Sequence, residues 1–450
     1  MRRFPPVLAL ALLLPGAAHA YPVDGYAYTG IRRLEDARLV HAQEIPGRLR
    51  QPGQYLAMRD VQTRWHATDG HRLPATDAEL GRAIAALVPM AERDDYAIAV
   101  LDLSDARHPV YAAHQAGLQA NAGSVGKLLV ALALFQQLAD LYPDDIAARE
   151  RVLRDTRVTA DAFSQYDSHV VPFFDVAARQ RRGRAIRVGD EASLWEFLDW
   201  MLSASSNSAA GMVQKELIAL AHFGRRYPAP PAEAAAFFAA TGYAGLGAIM
   251  ETAMTGALLK NGLDPEQMRQ GSFFTRGGNR RVGGTTSFAT AGQLVQLLFR
   301  LEAGTLVDAF SSRELKRLLY MTQRRIRYAS HPALNPAAVY FKSGSYFQCH
   351  DGPRGCRKYK GDKTNRLASV AIVESAPGAL AGPSHYLVAV MSNVLRVNSA
   401  VAHQTLAMRI HRLIVALHPV PQAPALIPES AYPSVPVDDP DAHEPPLAGQ

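Results

Sequence analysis

Cysteine is nearly missing from this chain: of 450 residues only Cys349 and Cys356 carry a thiol. They lie seven positions apart around Asp351-Gly352-Pro353, and a disulfide closing that hairpin tip in an oxidising compartment is expected. A metal held through Cys349, His350 and Cys356 is the alternative, and it lacks an evident fourth ligand nearby. Long apolar runs are missing too. After the first twenty residues no segment approaches the roughly 18 uninterrupted apolar residues of a membrane helix, and no cysteine follows that region to take a lipid. The basic clusters (Arg179 to Arg187, Arg276 to Arg281, Arg324 to Arg327, Arg354 to Lys363) lack the interleaved aromatics of a nucleic-acid platform, so they read as solvated loops and no nucleic-acid partner is expected. The fifteen histidines, His66, His71, His350 and His385 among them, form no metal-ligand spacing, and neither metal nor cofactor is expected. No internal repeat is present.

What is present is a globular composition, 48% hydrophobic and 20% charged, able to bury a sizeable core in one large domain or two ordinary ones. The opening stretch MRRFPPVLALALLLPGAAHA joins two arginines, a short apolar run from Val7 to Leu14, and Ala18-His19-Ala20, the pattern of a cleavable export signal. Residues 1–20 are expected to be a signal peptide, leaving a soluble periplasmic or extracellular chain that begins at Tyr21. Losing Arg2 and Arg3 takes the formal charge from +7 to +5. That mild excess allows no more than a weak attraction to an anionic wall polymer.

Residues 21–75 are polar and turn-rich and show no clear period, so they read as an N-terminal extension. Residues 76–418 carry the pattern of one domain. Thr76 or Asp77 caps the helical run AELGRAIAALVPM, and YAIAVLDLS and PVYAAHQ follow as a strand hairpin. From Ser124 to about Arg300 helical patterns dominate, among them SLWEFLDWMLSAS, SAAGMVQKELIALAHF and FATAGQLVQLLFRLEAG. Strands return in VYFKSGSYF, RLASVAIVES and HYLVAVMSN, and SAVAHQTLAMRIHRLIVALH closes the pattern as an amphipathic helix. The expectation is an α+β fold, one antiparallel sheet built from both chain ends, flanked by helices and carrying an inserted helical subdomain. Residues 419–450 are proline-rich and without period, a disordered tail by composition.

Three short motifs carry chemistry. In NAGSVGKLLVALALFQQL, Ser124 and Lys127 stand at i and i+3 at a helix start, which puts a hydroxyl beside an amine. If burial and neighbouring cations lower the pKa of Lys127, the neutral amine can take the proton of Ser124 and make it a nucleophile. Ser205-Ser206-Asn207 lies between two predicted helices, the place for a tight turn offering a hydroxyl and an amide. Lys342-Ser343-Gly344 lies on the first of the late strands, where the glycine lets a substrate approach the backbone. Each has a plainer reading: Ser124 as a helix cap, Lys127 reaching out to water, Ser205 to Ser208 as a capping turn, Lys342 as a solvent-facing strand residue.

The order S-x-x-K, S-x-N, K-S-G, with strands before it and helices within it, resembles the class A β-lactamase and penicillin-binding protein superfamily of serine acyl-transferases. The resemblance runs from about Asp77 to His418 and includes GGTTSFATAGQLVQLLFRLEAGTLV ahead of the third motif. It implies Ser124 as the acylated nucleophile, Lys127 as its base and Ser205 as the proton relay to the leaving nitrogen. Asn207 would hold the substrate amide, Lys342 and Ser343 its carboxylate, and the backbone N–H groups of Ser124 and Ser345, beside Gly344, would form the oxyanion hole. Two departures stand out. Ser206 occupies the middle of the second motif, where class A enzymes usually have Asp. No E-x-x-L-N motif supplies the deacylating glutamate, and Glu251 and Glu266 lie in the right region without its pattern. Arg396, after the last strand, is a weaker candidate for the carboxylate. The implied function is an exported serine hydrolase acylated at Ser124 by β-lactam or related amides, with slow deacylation for want of a positioned base. A D,D-peptidase or esterase on the same site is one alternative, and a penicillin-binding or sensor module that does not turn over is another.

Overall fold

Apolar alternation along the strands sets up a sheet with two buried faces. In Tyr96–Asp102 every residue is buried, with Ala97, Ala99 and Leu101 on one face and Ile98 and Val100 on the other. The computed structural model describes residues 24–48, 50–54, 56–65, 72–320, 325–375 and 384–419. The expected signal peptide, His66, His71, Arg324 and the expected tail beyond residue 419 lie outside the described residues. The sheet has five antiparallel strands in the order Val110–His114, Tyr96–Asp102, His385–Ser392, Thr364–Ser375, Ala337–Gln348. Its strands come from both ends of the described chain, as the sequence pattern predicts. One face packs on the Ala78–Ala86 and Ser399–Leu417 helices through Leu80, Ile84, Leu406, Ile410 and Ile414. Asp77 caps the first of these, accepting from the Leu80 N–H.

The other face meets the inserted segment. Its central helix, Lys127–Leu141, is apolar on nearly all sides and buries everything from Lys127 to Gln136. A helix of that composition is stable only inside a protein. Around it stand Leu194–Leu202, Asn207–Phe223, Pro231–Lys260, which is broken by a kink at Gly242, and Ala309–Tyr320, while Ala291–Glu302 lies on the sheet. The insertion is less purely helical than its sequence suggests. Val171–Asp175 pairs with Gln180–Arg184 and Arg157–Thr159 with Glu191–Ser193. QRRGR shows no apolar alternation because its residues are almost all exposed, so backbone pairing alone marks it as a strand. A third ribbon, Met268–Arg269 with Phe288–Ala289, draws the 264–290 connection into a loop beside the Lys127 helix.

The N-terminal segment is folded onto this body, which its lack of period concealed. It forms helices at Gly25–Thr29 and Arg32–His41. The second buries a charge in its apolar face: Arg33 pairs with Asp199 at 2.5 Å, both side chains almost wholly enclosed. Arg32 meets Glu196, and the Tyr28 hydroxyl donates to Glu150 at 2.6 Å. Further along, Lys316 and Arg317 donate to the carbonyls of Gln62 and Met58. An apolar-periodicity test cannot see a segment fastened by ions.

Breaking a buried ion pair from one side strands the other charge, at a cost of about 3–5 kcal/mol. Arg33→Ala is expected to lose about that much in chemical denaturation, while Arg33→Met with Asp199→Leu recovers most of it. A loss under about 1 kcal/mol for Arg33→Ala would mean that the segment is not fastened through this pair.

Candidate active site

Ser124 sits in a tight 3-10 turn, Gly123–Gly126, one step ahead of the Lys127–Leu141 helix. The turn lies against the edge strand Ala337–Gln348, and two glycines make the approach possible. A Cβ on Gly344 would come within 2.3 Å of the Ser124 nitrogen and of the Ala122 oxygen, and Gly123 has a φ of 54°. A Cβ on Gly123 would lie 3.2 Å from the Ser345 nitrogen. The backbone nitrogens of Ser124 and Ser345 therefore flank one contact between turn and strand, at the open edge of the sheet.

The three motifs meet there. Lys127 is fully buried, and its Nζ lies 2.9 Å from Ser124 Oγ, 2.5 Å from the Ser205 carbonyl and 2.7 Å from Asn207 Oδ1, over the ring of Phe274. A neutral amine has two hydrogens and one lone pair. With the hydrogens on the Ser205 and Asn207 oxygens, which can only accept, the lone pair is left for the Ser124 hydroxyl. Strand alternation puts Lys342 on the face of Ala338 and Tyr340, which belongs to the core of the inserted segment. Its Nζ donates to Ser205 Oγ at 2.8 Å. Burial, and then the nearby Arg327 guanidinium, hold the Lys342 amine well below the usual lysine range. Lys127 and Lys342 are enclosed and Gly126, not Ser124, stands at the cap position, so three of the plainer readings fail, while the capping turn holds: Ser206 caps the Asn207–Phe223 helix by accepting from the Ala209 N–H.

One charged member was not read from the sequence. Arg327, placed there among solvated loop residues, donates through Nη1 to Ser343 Oγ at 2.7 Å and through Nη2 to the Tyr359 hydroxyl at 2.7 Å, with Ser345 Oγ at 3.4 Å. Arg396, the candidate from the sequence, is exposed in the loop after the last strand. No local pattern marks Arg327, which lies fifteen positions ahead of Lys342 and reaches the strand only through the fold. Cys349 and Cys356 are joined, which removes the metal reading of that pair and closes the loop just ahead of Tyr359.

The two candidate acids are both exposed. Glu251 lines a cleft with Met254, Arg269 and Thr285, and Glu266 presents its backbone carbonyl to Gln119. Two side chains of the 264–290 loop pack on the Ser124 turn, the ring of Phe274 and the amide of Gln270, which is buried. A Cβ on Gly126 would lie 2.1 Å from its Oε1, and its Nε2 donates to the Ser272 carbonyl. An amide can orient a water molecule but takes no proton from it at neutral pH. Away from the site, Glu302, Glu374 and His385 converge closely enough for a metal. Lys316 Nζ already stands among them, 2.6 Å from Glu302, and with His385 it overrides burial to hold that carboxyl well below the usual carboxylate range.

No family model and no curated protein matches the chain. Among solved structures it is similar to a β-lactamase from Sphaerobacter thermophilus DSM 20745 (15% identity, TM-score 0.48, 75% of this chain and 98% of that one). It is similar also to a β-lactamase from Xanthomonas campestris pv. campestris str. ATCC 33913 (17%, 0.47, 75% and 98%) and to PBP-A (14%, 0.45, 76% and 98%). The fold itself is α+β. Its sheet comes from both chain ends and its three motifs meet at one sheet edge, as the motif order leads one to expect. Identities this low assign no chemistry, so what the site can do rests on its own side chains.

Removing the Arg327 guanidinium takes away charge-assisted hydrogen bonds, each worth about 1.5–3 kcal/mol. Arg327→Ala is therefore expected to weaken non-covalent capture of a carboxylate-bearing acyl donor about 10–100-fold and to leave capture of a neutral ester nearly unchanged. Equal losses on both donors, measured by pre-steady-state kinetics, would remove the carboxylate role.

Proposed function

We propose that this chain is an exported serine acyl-transferase of the hydrolase type, acylated at Ser124 by β-lactam or related carboxylate-bearing amides and slow to release the acyl group. The observation that carries this reading is the Lys127 amine, which meets two fixed acceptors and the Ser124 hydroxyl at once. Ser124 Oγ attacks the amide carbonyl carbon while its proton passes to the Lys127 lone pair. The oxyanion forms where the Ser124 and Ser345 N–H groups can reach it. As the C–N bond breaks, Ser205 Oγ gives its proton to the leaving nitrogen and is refilled from the ammonium of Lys342, whose proton is held more loosely than in an ordinary lysine. Lys342, Ser343 and Arg327 hold the carboxylate, and Asn207 holds the substrate amide. The Ala18-His19-Ala20 pattern and the disulfide support export.

Hydrolysis of the ester needs a base for water. The polar group of the 264–290 loop shown against the Ser124 turn is the amide of Gln270, and a positioned base is typically worth about 10²–10⁴ in rate. Purified protein mixed with a penicillin is expected to gain the mass of one ligand on the peptide containing Ser124, and Ser124→Ala to abolish the gain. Fast multiple turnover with no adduct would instead make this a true β-lactamase. Turnover of a D-alanyl-D-alanine peptide or a simple ester, with no β-lactam adduct, would move the reading to the peptidase or esterase.

Gln270→Glu would put a carboxylate where the amide now lies. Adduct decay, followed by mass, is expected to quicken at least about tenfold. An unchanged lifetime would show that the hydrolytic water does not stand at this side chain.

A further inference from the structure

The turn Ser205-Ser206-Asn207 supplies two of the oxygens that meet Lys127, and it does so in an unfavourable backbone state. Ser205 has a φ of 59°, the left-handed region that a residue with a Cβ keeps only when its surroundings hold it there. Its carbonyl faces Lys127 and its hydroxyl faces Lys342, so both contacts depend on that angle. Two lysine ends on long stems are a poor clamp for a strained turn. A short, enclosed side chain grips its other side.

That side chain is Asp167, 1% exposed. Its Oδ2 accepts from Ser206 Oγ at 2.9 Å and from the Ser208 N–H at 2.8 Å, bridging the residues on either side of Asn207. Its Oδ1 lies 2.5 Å from His169 Nδ1, which fixes the carboxyl in rotation. Ser206 meanwhile accepts from the Ala209 N–H, so one hydroxyl joins the end of the Asn207–Phe223 helix to the carboxylate. Negative charge is favoured at that helix end. Burial opposes ionisation of Asp167, yet His169 and the Ser208 N–H hold its carboxyl well below the usual range.

Resting on the acyl-transfer reading above, we infer that Asp167 is the positioning residue of this turn: it supplies from a preceding loop the carboxylate that Ser206 lacks, and so fixes Ser205 and Asn207 against Lys127. Asp167 touches no reacting atom, and its effect on rate passes through those two residues.

Asp167→Asn keeps the shape and removes the charge. Acylation of Ser124 by a penicillin is expected to slow about 10–100-fold, the scale of a misplaced catalytic group. Non-covalent affinity should stay within about threefold, because other residues hold the carboxylate end. Adding Ser206→Asp, which puts the carboxylate on the turn itself, should restore most of the rate. Equal losses in affinity and rate, or a double variant no faster than the single one, would overturn the inference. A crystal structure of Asp167→Asn reads the turn without any acyl donor. Ser205 leaving the left-handed region, with its contact to Lys342 broken, is the expected result. An unchanged turn would overturn the positioning role even if the native protein were inert to every acyl donor. An inert native protein with a displaced turn in the variant would sink the functional reading alone.

Discussion

Lys127 is enclosed at the start of a helix whose next residues, Leu128 to Phe135, are all apolar and buried, and an amine in that place must find polar partners or cost several kcal/mol. The partners come from far along the chain. The Ser205 carbonyl and the Asn207 amide lie about eighty positions away, on a turn that closes over the amine. Satisfying one buried nitrogen thus fixes the first two motifs relative to each other, and the Lys342 contact to Ser205 ties in the third. The catalytic arrangement and the burial of a polar group are the same set of bonds. That is why the site is a rigid part of the fold rather than a loop laid on it.

The sheet edge provides the other half of the arrangement. Gly344 lets two backbones pass where a side chain would collide, and Gly123 takes the left-handed backbone angle of the turn, which brings two N–H donors to the mouth of the site. The strand's alternation then separates its duties, with Lys342 turned toward the inserted segment and Ser343 toward Arg327. Arg327 is held in turn by Tyr359. Tyr359 follows, three residues on, the loop that the Cys349–Cys356 bond closes.

Charge does more internal work in this protein than its mild net excess suggests. Arg33 with Asp199 joins the N-terminal helices to the body, Lys316 gathers Glu302 and Glu374, and Asp167 grips the second motif. All are enclosed, and each pairs residues far apart in sequence. Pairs of this kind add little net stability over apolar packing, but removing one member is costly, so they act as registers that hold elements in place.

These registers are what sequence reading missed. Apolar period marked the sheet strands from both chain ends, the capped helix at Asp77 and the closing helix, because a half-buried strand or helix must repeat its apolar residues to bury one face. The motifs marked Ser124, Lys127, Ser205, Asn207 and Lys342, because their spacing is local. The N-terminal helices were illegible, since their buried face includes an arginine. The ribbon around QRRGR was too, since it buries almost nothing. Arg327, Gln270 and Asp167 have no local signal at all. What the sequence determined by itself was the set of surfaces that must be buried and the reactive residues set close along the chain. Which distant charge or amide meets them was decided only in the tertiary structure, because a hydrogen bond depends on where two atoms lie in space and leaves no period in the chain between them.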